Sequence, residues 1–404
     1  MKKILIICYG YLKEGTNNAN SECMREIISE VSNGYEVHVI TNQLQGLMHS
    51  SVIKENNTVI HAVPGALGRK TKASKRTLKD IYLLISKTIG FQDEWVANVY
   101  NYLECQLNLY DFSAMISVSF PFETVIIGEK LKRNYPALPW LIYELDPYAN
   151  NRAMWPLAWP LRMYLETRAF IYADKILLTN ELYRQYSRGV FANFKDKFYN
   201  VGLPLLKDLR QSYRAQKVIK EDFKCDVVFA GAFYEKIRRP DYCLAVFEKV
   251  SKLDKIRLHI YGSGCEGVLA EYKKRMGDSL ILHGRVPRSI VLEAICRADI
   301  LLNIGNTVTN QVPSKVFEYI GTGKPIISFY TSDQDTSKVY LDSYDFTLLL
   351  KEEWDHSALD ANVKKVIEFC KENLGQEISY KEIELKYHDY TLKAVTEKIE
   401  KLMG

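Results

Sequence analysis

The residues best suited to chemistry lie close together late in the chain, in NQVPSKVFEYIGTGKP at positions 310–325. A polar lead-in with Pro313 precedes an apolar-periodic run that carries Lys315 and Glu318. Pro suits a first helical position because its missing N–H would have had no partner there. A helix from Ser314 places Ser314, Lys315 and Glu318 on one side and Val316, Phe317 and Ile320 on the other. Gly321 or Gly323 supplies the residue that stops it, and Pro325 cannot continue it. The amino end of such a helix, with Lys315 beside it, offers unpaired N–H groups and positive charge to a diphosphate. A carboxylate one turn on cannot bind phosphate, but it accepts two hydrogen bonds from a vicinal diol such as a ribose. Together these read as a nucleoside diphosphate site. On spacing alone, a surface helix with a solvated Lys–Glu pair fits as well.

Such a helix must be held by a sheet, and the chain supplies the strands. Short apolar, β-branched runs at 3–8, 36–41, 114–119, 140–145 and 174–179 alternate with helical patterns such as 20–33. The series restarts at 225–231, 257–262, 280–284, 298–304 and 325–330. Continuous apolar runs of this length suit strands buried on both faces of a parallel sheet, with right-handed helical crossovers. Two series predict two Rossmann-like, doubly wound α/β domains, and 404 residues suit two cores better than one. The stretch from Gly202 to Cys225 is polar, basic and Pro-containing, as a linker is. The expected domains are 1–205, 206–387, and a C-terminal helix at 388–404 that packs back on the first. That helix carries a stripe of Leu392, Val395, Ile399 and Leu402. Ligands of open α/β sheets bind beyond the carboxyl ends of the strands, so a cleft between two such domains is the expected site.

Composition narrows the classes. Hydrophobic residues make up 47% and charged residues 25%, as in a soluble globular chain. A net charge of +5 asks for no nucleic acid and suits an acidic small ligand or an anionic membrane surface. Eight scattered cysteines without a C-x-x-C pair imply free thiols in a reducing compartment, and the seven histidines show no metal spacing. The apolar run after Met1 is too short for a secretory signal, and no window reaches a membrane span. The expectation is a cytoplasmic protein. The stretch 68–90 puts six basic residues before an amphipathic pattern of Leu78, Ile81, Ile85 and Ile89. It would dock on the anionic inner face of a membrane, or else pack as a surface helix on its own domain.

The spacing of Asn310, seven residues, then Glu318, followed by Gly and Lys-Pro, resembles the E-x7-E element of GT-B glycosyltransferases, in particular family 4, the group 1 transferases. The N-x-x-P-S-K-x-F-E-Y variant resembles enzymes of capsule, exopolysaccharide and lipopolysaccharide assembly. The resemblance implies that Glu318 binds the nucleotide ribose and that Gln311, Val312, Pro313 and Ser314 flank the phosphates. Asn310 stands where the family has the glutamate that contacts the transferred sugar. It keeps an acceptor oxygen but loses the charge.

The resemblance runs along nearly the whole chain. VVFAGAFYEKIRRPDYCLAVFEKV at 227–250 is similar to the segment that opens the family's C-terminal domain with a basic clamp on the donor phosphates. Arg238 best matches the clamp, and Lys236 or Arg239 would substitute. After Gly284, Val286 would meet the base of the nucleotide. In the N-terminal domain, Gly10 and Gly15 stand in for the family's Gly-rich loop, and Asp146 falls where related enzymes face the acceptor. Asp146 would orient or deprotonate an acceptor hydroxyl; a cap on the Pro147 turn fits equally. The Gly-x-Gly at 262–264 lacks the third glycine of a dinucleotide fingerprint. The DQD at 333–335 reads as a solvated loop, since family 4 needs no metal.

The resemblance implies a retaining transferase that moves a sugar from a nucleotide-diphosphate sugar, with UDP favoured, to a glycan or lipid-linked acceptor, without cofactor. A GT-B nucleotide-sugar epimerase and a non-catalytic GT-B partner subunit stay open as alternatives.

Overall fold

The computed structural model describes residues 1–12, 19–42, 49–65, 94–119, 121–151, 158–210, 223–235, 237–306 and 314–404. The chain packs as two units, Met1–Pro204 with Leu392–Gly404, and Leu205–Thr391.

The first unit runs β1 (Lys3–Ile7), α1 (Ala19–Val31), β2 (Glu36–Asn42), β3 (Ser51–Glu55), β4 (Thr58–Val63), α2 (Glu94–Gln106), β5 (Phe112–Ser119) and α3 (Glu123–Asn134). It continues with β6 (Trp140–Glu144), α4 (Trp159–Tyr172), β7 (Lys175–Leu178), α5 (Asn180–Tyr186) and β8 (Phe198–Asn200). The second unit runs β9 (Cys225–Ala230), α6 (Asp241–Leu253), β10 (Ile256–Tyr261), α7 (Glu266–Met276), β11 (Leu280–Gly284), α8 (Arg288–Arg297) and β12 (Ile300–Ile304). Then come α9 (Ser314–Ile320), β13 (Ile326–Tyr330), α10 (Thr336–Leu341), β14 (Thr347–Lys351), α11 (His356–Glu372) and α12 (Tyr380–Lys386). The chain returns to the first unit as α13 (Leu392–Met403).

Each unit is built on one sheet. The first has the order β3-β4-β2-β1-β5-β6-β7-β8 and the second β11-β10-β9-β12-β13-β14. All pairings are parallel except β3 with β4. The central strands are almost wholly buried, as Ile4–Ile7 and Ile300–Ile304 show, because helices cover both faces. Strand order reverses between β1 and β5, and again between β9 and β12. These are the two places where crossovers part to opposite sides and leave a crevice at the strand ends.

The ten apolar runs expected as strands all lie in the sheets. Four strands escape that reading. β3 is an exposed edge strand whose residues show no buried pattern, and β14 is half-exposed. β4 pairs with β3 through a turn in which Asn56 has φ 51°, and β8 is only three residues long. The C-terminal helix also differs from its expected span. His388–Tyr390 form a separate 3-10 turn, and Thr391 intervenes before α13. Val395, Ile399 and Met403 bury the stripe, while Leu392 and Leu402 are only half-buried. α13 lies against α1, and Lys175 Nζ donates to Leu402 O at 2.6 Å. The basic stretch 68–90 lies outside the described residues.

Candidate donor-binding site

The reversal between β9 and β12 organises the second unit's site. After β9 the chain turns sharply: Arg238 N donates to Tyr234 O at 2.9 Å, and Tyr234 N to Arg238 O at 3.0 Å. This bridge folds Arg238 back toward the strand ends. The segment 231–233 also runs against the end of β10, where Gly231 N donates to Tyr261 O and Phe233 N to Ser263 O. A Cβ on Gly262 would stand 1.7 Å from Gly231 O, and one on Gly264 2.2 Å from Phe233 O. The glycine pair at 262–264 therefore serves this close approach of two loops.

Arg238 is half-buried. Its Nε donates to Asn306 Oδ1 at 2.9 Å, two residues beyond β12. Nη1 lies 3.2 Å from where a Cβ on Gly231 would be. Burial pulls the guanidinium below its ordinary pKa, and the hydroxyl of Tyr319 and the carboxylate of Asp335 oppose that pull. Among the described residues no carboxylate forms an ion pair with Arg238. A half-buried cation of this kind, at a strand-order reversal, is equipped to meet an anionic ligand.

Asp335 corrects the sequence reading of the DQD stretch as a solvated loop. Asp333 is exposed and pairs with Lys338, but Asp335 is 1% exposed and caps α10, accepting from Ser337 N at 2.8 Å. Its other oxygen accepts no hydrogen bond and packs against Gly305, where a Cβ would stand 1.7 Å away. Burial raises its pKa.

A second cluster lies on α9. Ser314 and Lys315 open the helix, Val316, Phe317 and Ile320 bury the opposite face, and Gly323, with φ 78°, follows its end. Glu318 is not free. Its two oxygens receive Arg288 Nη2 at 2.9 Å and Lys315 Nζ at 3.0 Å. Each carboxylate oxygen keeps a second lone pair, so room for a diol remains. Arg288 opens α8, two residues after the half-buried Val286. Tyr319 links the two clusters: its hydroxyl accepts from Ala230 N at 2.9 Å, and its pKa feels both Glu318 and Arg238.

The other sequence candidates fare differently. Arg239 is exposed and forms a two-pronged pair with Asp241 at 2.8 and 2.9 Å, which holds its pKa above the ordinary range. That guanidinium is committed to α6 rather than to the crevice. Lys236, Asn310, Gln311, Val312 and Pro313 lie outside the described residues, as does Gly15.

In the first unit, Gly10 N donates to Asn42 Oδ1 at 2.6 Å and Tyr11 N to Thr41 Oγ1 at 3.1 Å, so the loop after β1 is pinned to the end of β2. Asp146 follows β6 and accepts from Asn20 Nδ2 at 2.9 Å; burial raises its pKa against that bond. Behind it Glu144 is fully buried, and its pKa is raised by burial and by Glu166. Glu166 itself accepts from Tyr186 Oη at 2.7 Å and Ala149 N at 2.8 Å. Burial and mutual repulsion between two carboxyls so enclosed favour a proton on Glu144.

Sequence reasoning passed over Arg288 and Asn306 and took Asp335 for part of a solvated loop. A signal existed for Arg288, a basic residue at a predicted strand–helix turn. For Asn306 the sequence carries none, and for Asp335 it carries none that separates it from the exposed Asp333. Among the described residues no group of His, Cys, Asp or Glu side chains is arranged to hold a metal. No described helix is long and apolar enough to cross a membrane.

Two parallel-sheet α/β units of this topology define the GT-B fold. Three solved structures share it over nearly their full length. A sucrose-phosphate synthase from Thermosynechococcus elongatus is 13% identical, with TM-score 0.62 over 100% of this chain and 98% of its own. An α,α-trehalose 6-phosphate synthase from Burkholderia multivorans is 8% identical, with TM-score 0.66 over 100% and 98%. An E. coli trehalose-6-phosphate protein bound with UDP-2-fluoro glucose is 8% identical, with TM-score 0.62 over 98% and 96%. Residues 224–368, which lie within the second unit, match the family model of group 1 glycosyl transferases. No curated protein matches the sequence.

Proposed function

We propose that the protein transfers a sugar, with retention of its anomeric configuration, from a UDP-sugar to a hydroxyl of a lipid-linked surface glycan. The observation that carries this is Arg238, a half-buried guanidinium without a carboxylate partner among the described residues, at the strand-order reversal of the segment that matches the group 1 glycosyl transferases. In this reading Arg238 meets the diphosphate and Lys315 adds charge at its edge. Glu318, held by Arg288, accepts the ribose hydroxyls. Val286 lies near the base, and Asn310 to Ser314 line the phosphates and the sugar. The C1–O bond breaks with its electron pair going to the diphosphate, which Arg238 stabilises. The acceptor oxygen bonds to C1 on the same face, and its proton passes to the departing phosphate oxygen. Asp146 orients the acceptor hydroxyl. The positive charge at the leaving group comes from side chains, and the reading includes no metal.

A lipid-linked acceptor places the protein at a membrane. Helix α4 supports this with Tyr164 and Ile171 exposed on one face and Tyr172 exposed at its end. Arg168 stands over the Tyr164 ring and Arg133 over the Tyr172 ring, both at 5.6 Å. Amphipathic rings interleaved with guanidinium groups suit the headgroup layer of an anionic bilayer. The basic stretch 68–90 would add to that attraction.

The test is turnover of labelled UDP-sugars with and without a lipid-linked glycan fraction, reading UDP release and the anomer formed. Acceptor-dependent transfer with retention is expected, and Arg238→Ala should lose about 10²–10³-fold in kcat. Conversion of the donor to another nucleotide sugar without acceptor would make the protein an epimerase. Absence of nucleotide binding would make it a non-catalytic subunit. Either result overturns the proposal.

A further inference from the structure

We propose that Asn306 is the positioning residue of Arg238: its neutral amide oxygen aims the guanidinium while leaving the charge available to a diphosphate. The inference rests on the reading of Arg238 given above. Asn306 and Arg238 are 68 residues apart in sequence and meet only because β9 and β12 are neighbours. Among the described residues, Asn306 Oδ1 is the one side-chain atom hydrogen-bonded to that guanidinium. On the other side, a Cβ on Gly231 would stand 3.2 Å from Nη1, so the glycine leaves the fork room. The hydrogen bond to Asn306 is therefore the contact that sets the direction of the fork.

A carboxylate is near, yet does not make the contact. Asp335 acts on Arg238 through space, but one of its oxygens caps α10 and the other faces Gly305. The half-buried cation is therefore balanced at a distance and touched by an amide. That division has a physical reason. A carboxylate at position 306 would form a shorter, charge-assisted bond to Arg238 and neutralise it, leaving less attraction for phosphate oxygens. An amide gives direction without that loss.

Asn306→Asp isolates the point, because it keeps the acceptor oxygen and nearly the same shape. If Asn306 only satisfied a buried N–H, the variant would bind ligand as the wild type does. The experiment is calorimetric titration of the whole protein with UDP, GDP, ADP and dTDP. The tightest of these is then titrated into Asn306→Asp and Asn306→Ala at several salt concentrations, with melting temperatures alongside. Asn306→Asp should melt at or above the wild type, bind the diphosphate at least about tenfold more weakly, and show a flatter salt dependence. Asn306→Ala keeps the charge but loses the aim. It should bind within about threefold of the wild type and lose roughly tenfold in kcat. Should Asn306→Asp fail to fold, Asn306→Ala decides alone: unchanged kcat overturns the inference. Wild-type affinity and salt dependence in a folded Asn306→Asp also overturn it. A wild type that binds none of the four diphosphates refutes the proposed function itself, so the two failures are distinguishable.

Discussion

Arg288 Nη2 and Glu318 Oε1 meet at 2.9 Å, so the carboxylate read as the ribose ligand is already oriented by a neighbouring crossover, with Lys315 on its other oxygen. A carboxylate fixed in advance loses less side-chain freedom when it accepts a diol. The ion pair itself is half-exposed on the Arg288 side and adds little to stability.

Glu318→Ala should therefore weaken UDP binding by about tenfold or more while leaving kcat at saturating donor within a few-fold. Arg288→Ala should weaken it less, by several-fold, because the ligand remains and only its orientation loosens. Calorimetric titration with UDP checks both. An Arg288→Ala effect larger than that of Glu318→Ala would mean that Arg288 contacts the nucleotide itself.

Gly262→Ala should damage the site from a distance. Its Cβ would stand 1.7 Å from Gly231 O on a residue with φ 151°, and the segment it displaces leads to Arg238. The expected cost is about 1–3 kcal/mol or more, read as a drop of several degrees in melting temperature together with weaker diphosphate binding. An unchanged melting temperature would show that the loops separate freely.

Glu352 makes the second unit sensitive to alkali. Burial, with Asp241 and Asp335 nearby, raises its carboxyl from an ordinary 4.5 to about 7. The folded unit holds this proton more tightly than the unfolded chain. Its contribution is therefore full below pH 4.5 and is lost as pH rises through 7. Glu352→Gln should raise the melting temperature at pH 8 and leave it unchanged near pH 4. Parallel melting curves at all pH values would remove Glu352 from the account.

His61 acts in the opposite sense in the first unit. Burial and the adjoining His38 lower it from an ordinary 6.5 to about 4. His38 Nδ1 lies 3.0 Å from His61 Nε2, with Glu36 beyond His38 and Tyr102 on the far nitrogen of His61. The unfolded chain takes up the proton first, so this contribution is full above pH 6.5 and is lost as pH falls through 4. His61→Gln should flatten the acid limb of the stability profile, measured by denaturant unfolding between pH 4 and 7.

Helix α4 gives a check on the membrane half of the reading. Tyr164→Glu together with Ile171→Glu puts charge on the exposed face without touching the buried Leu165, Ala169 or Phe170. Flotation with vesicles of phosphatidylglycerol and phosphatidylethanolamine should fall severalfold in the double variant. Equal flotation of both proteins would exclude this face.

The sequence by itself determined the repeated strand–helix alternation, and with it two parallel sheets, because a strand buried on both faces must be continuously apolar. It also determined the amphipathic split of α9, where spacings of four and three residues put Ser314 and Lys315 on one side with Glu318. Edge strands such as β3 escaped because an exposed edge needs no apolar pattern. The tertiary structure alone decided which polar residues from different crossovers meet. Arg288 reaches Glu318 over 30 residues and Asn306 reaches Arg238 over 68, because strand order sets which loops are neighbours. Periodicity reports how a residue sits on its own element. It carries no information about the loop across the reversal, and that is why Asp335, one of two aspartates in a polar stretch, is buried while Asp333 is not.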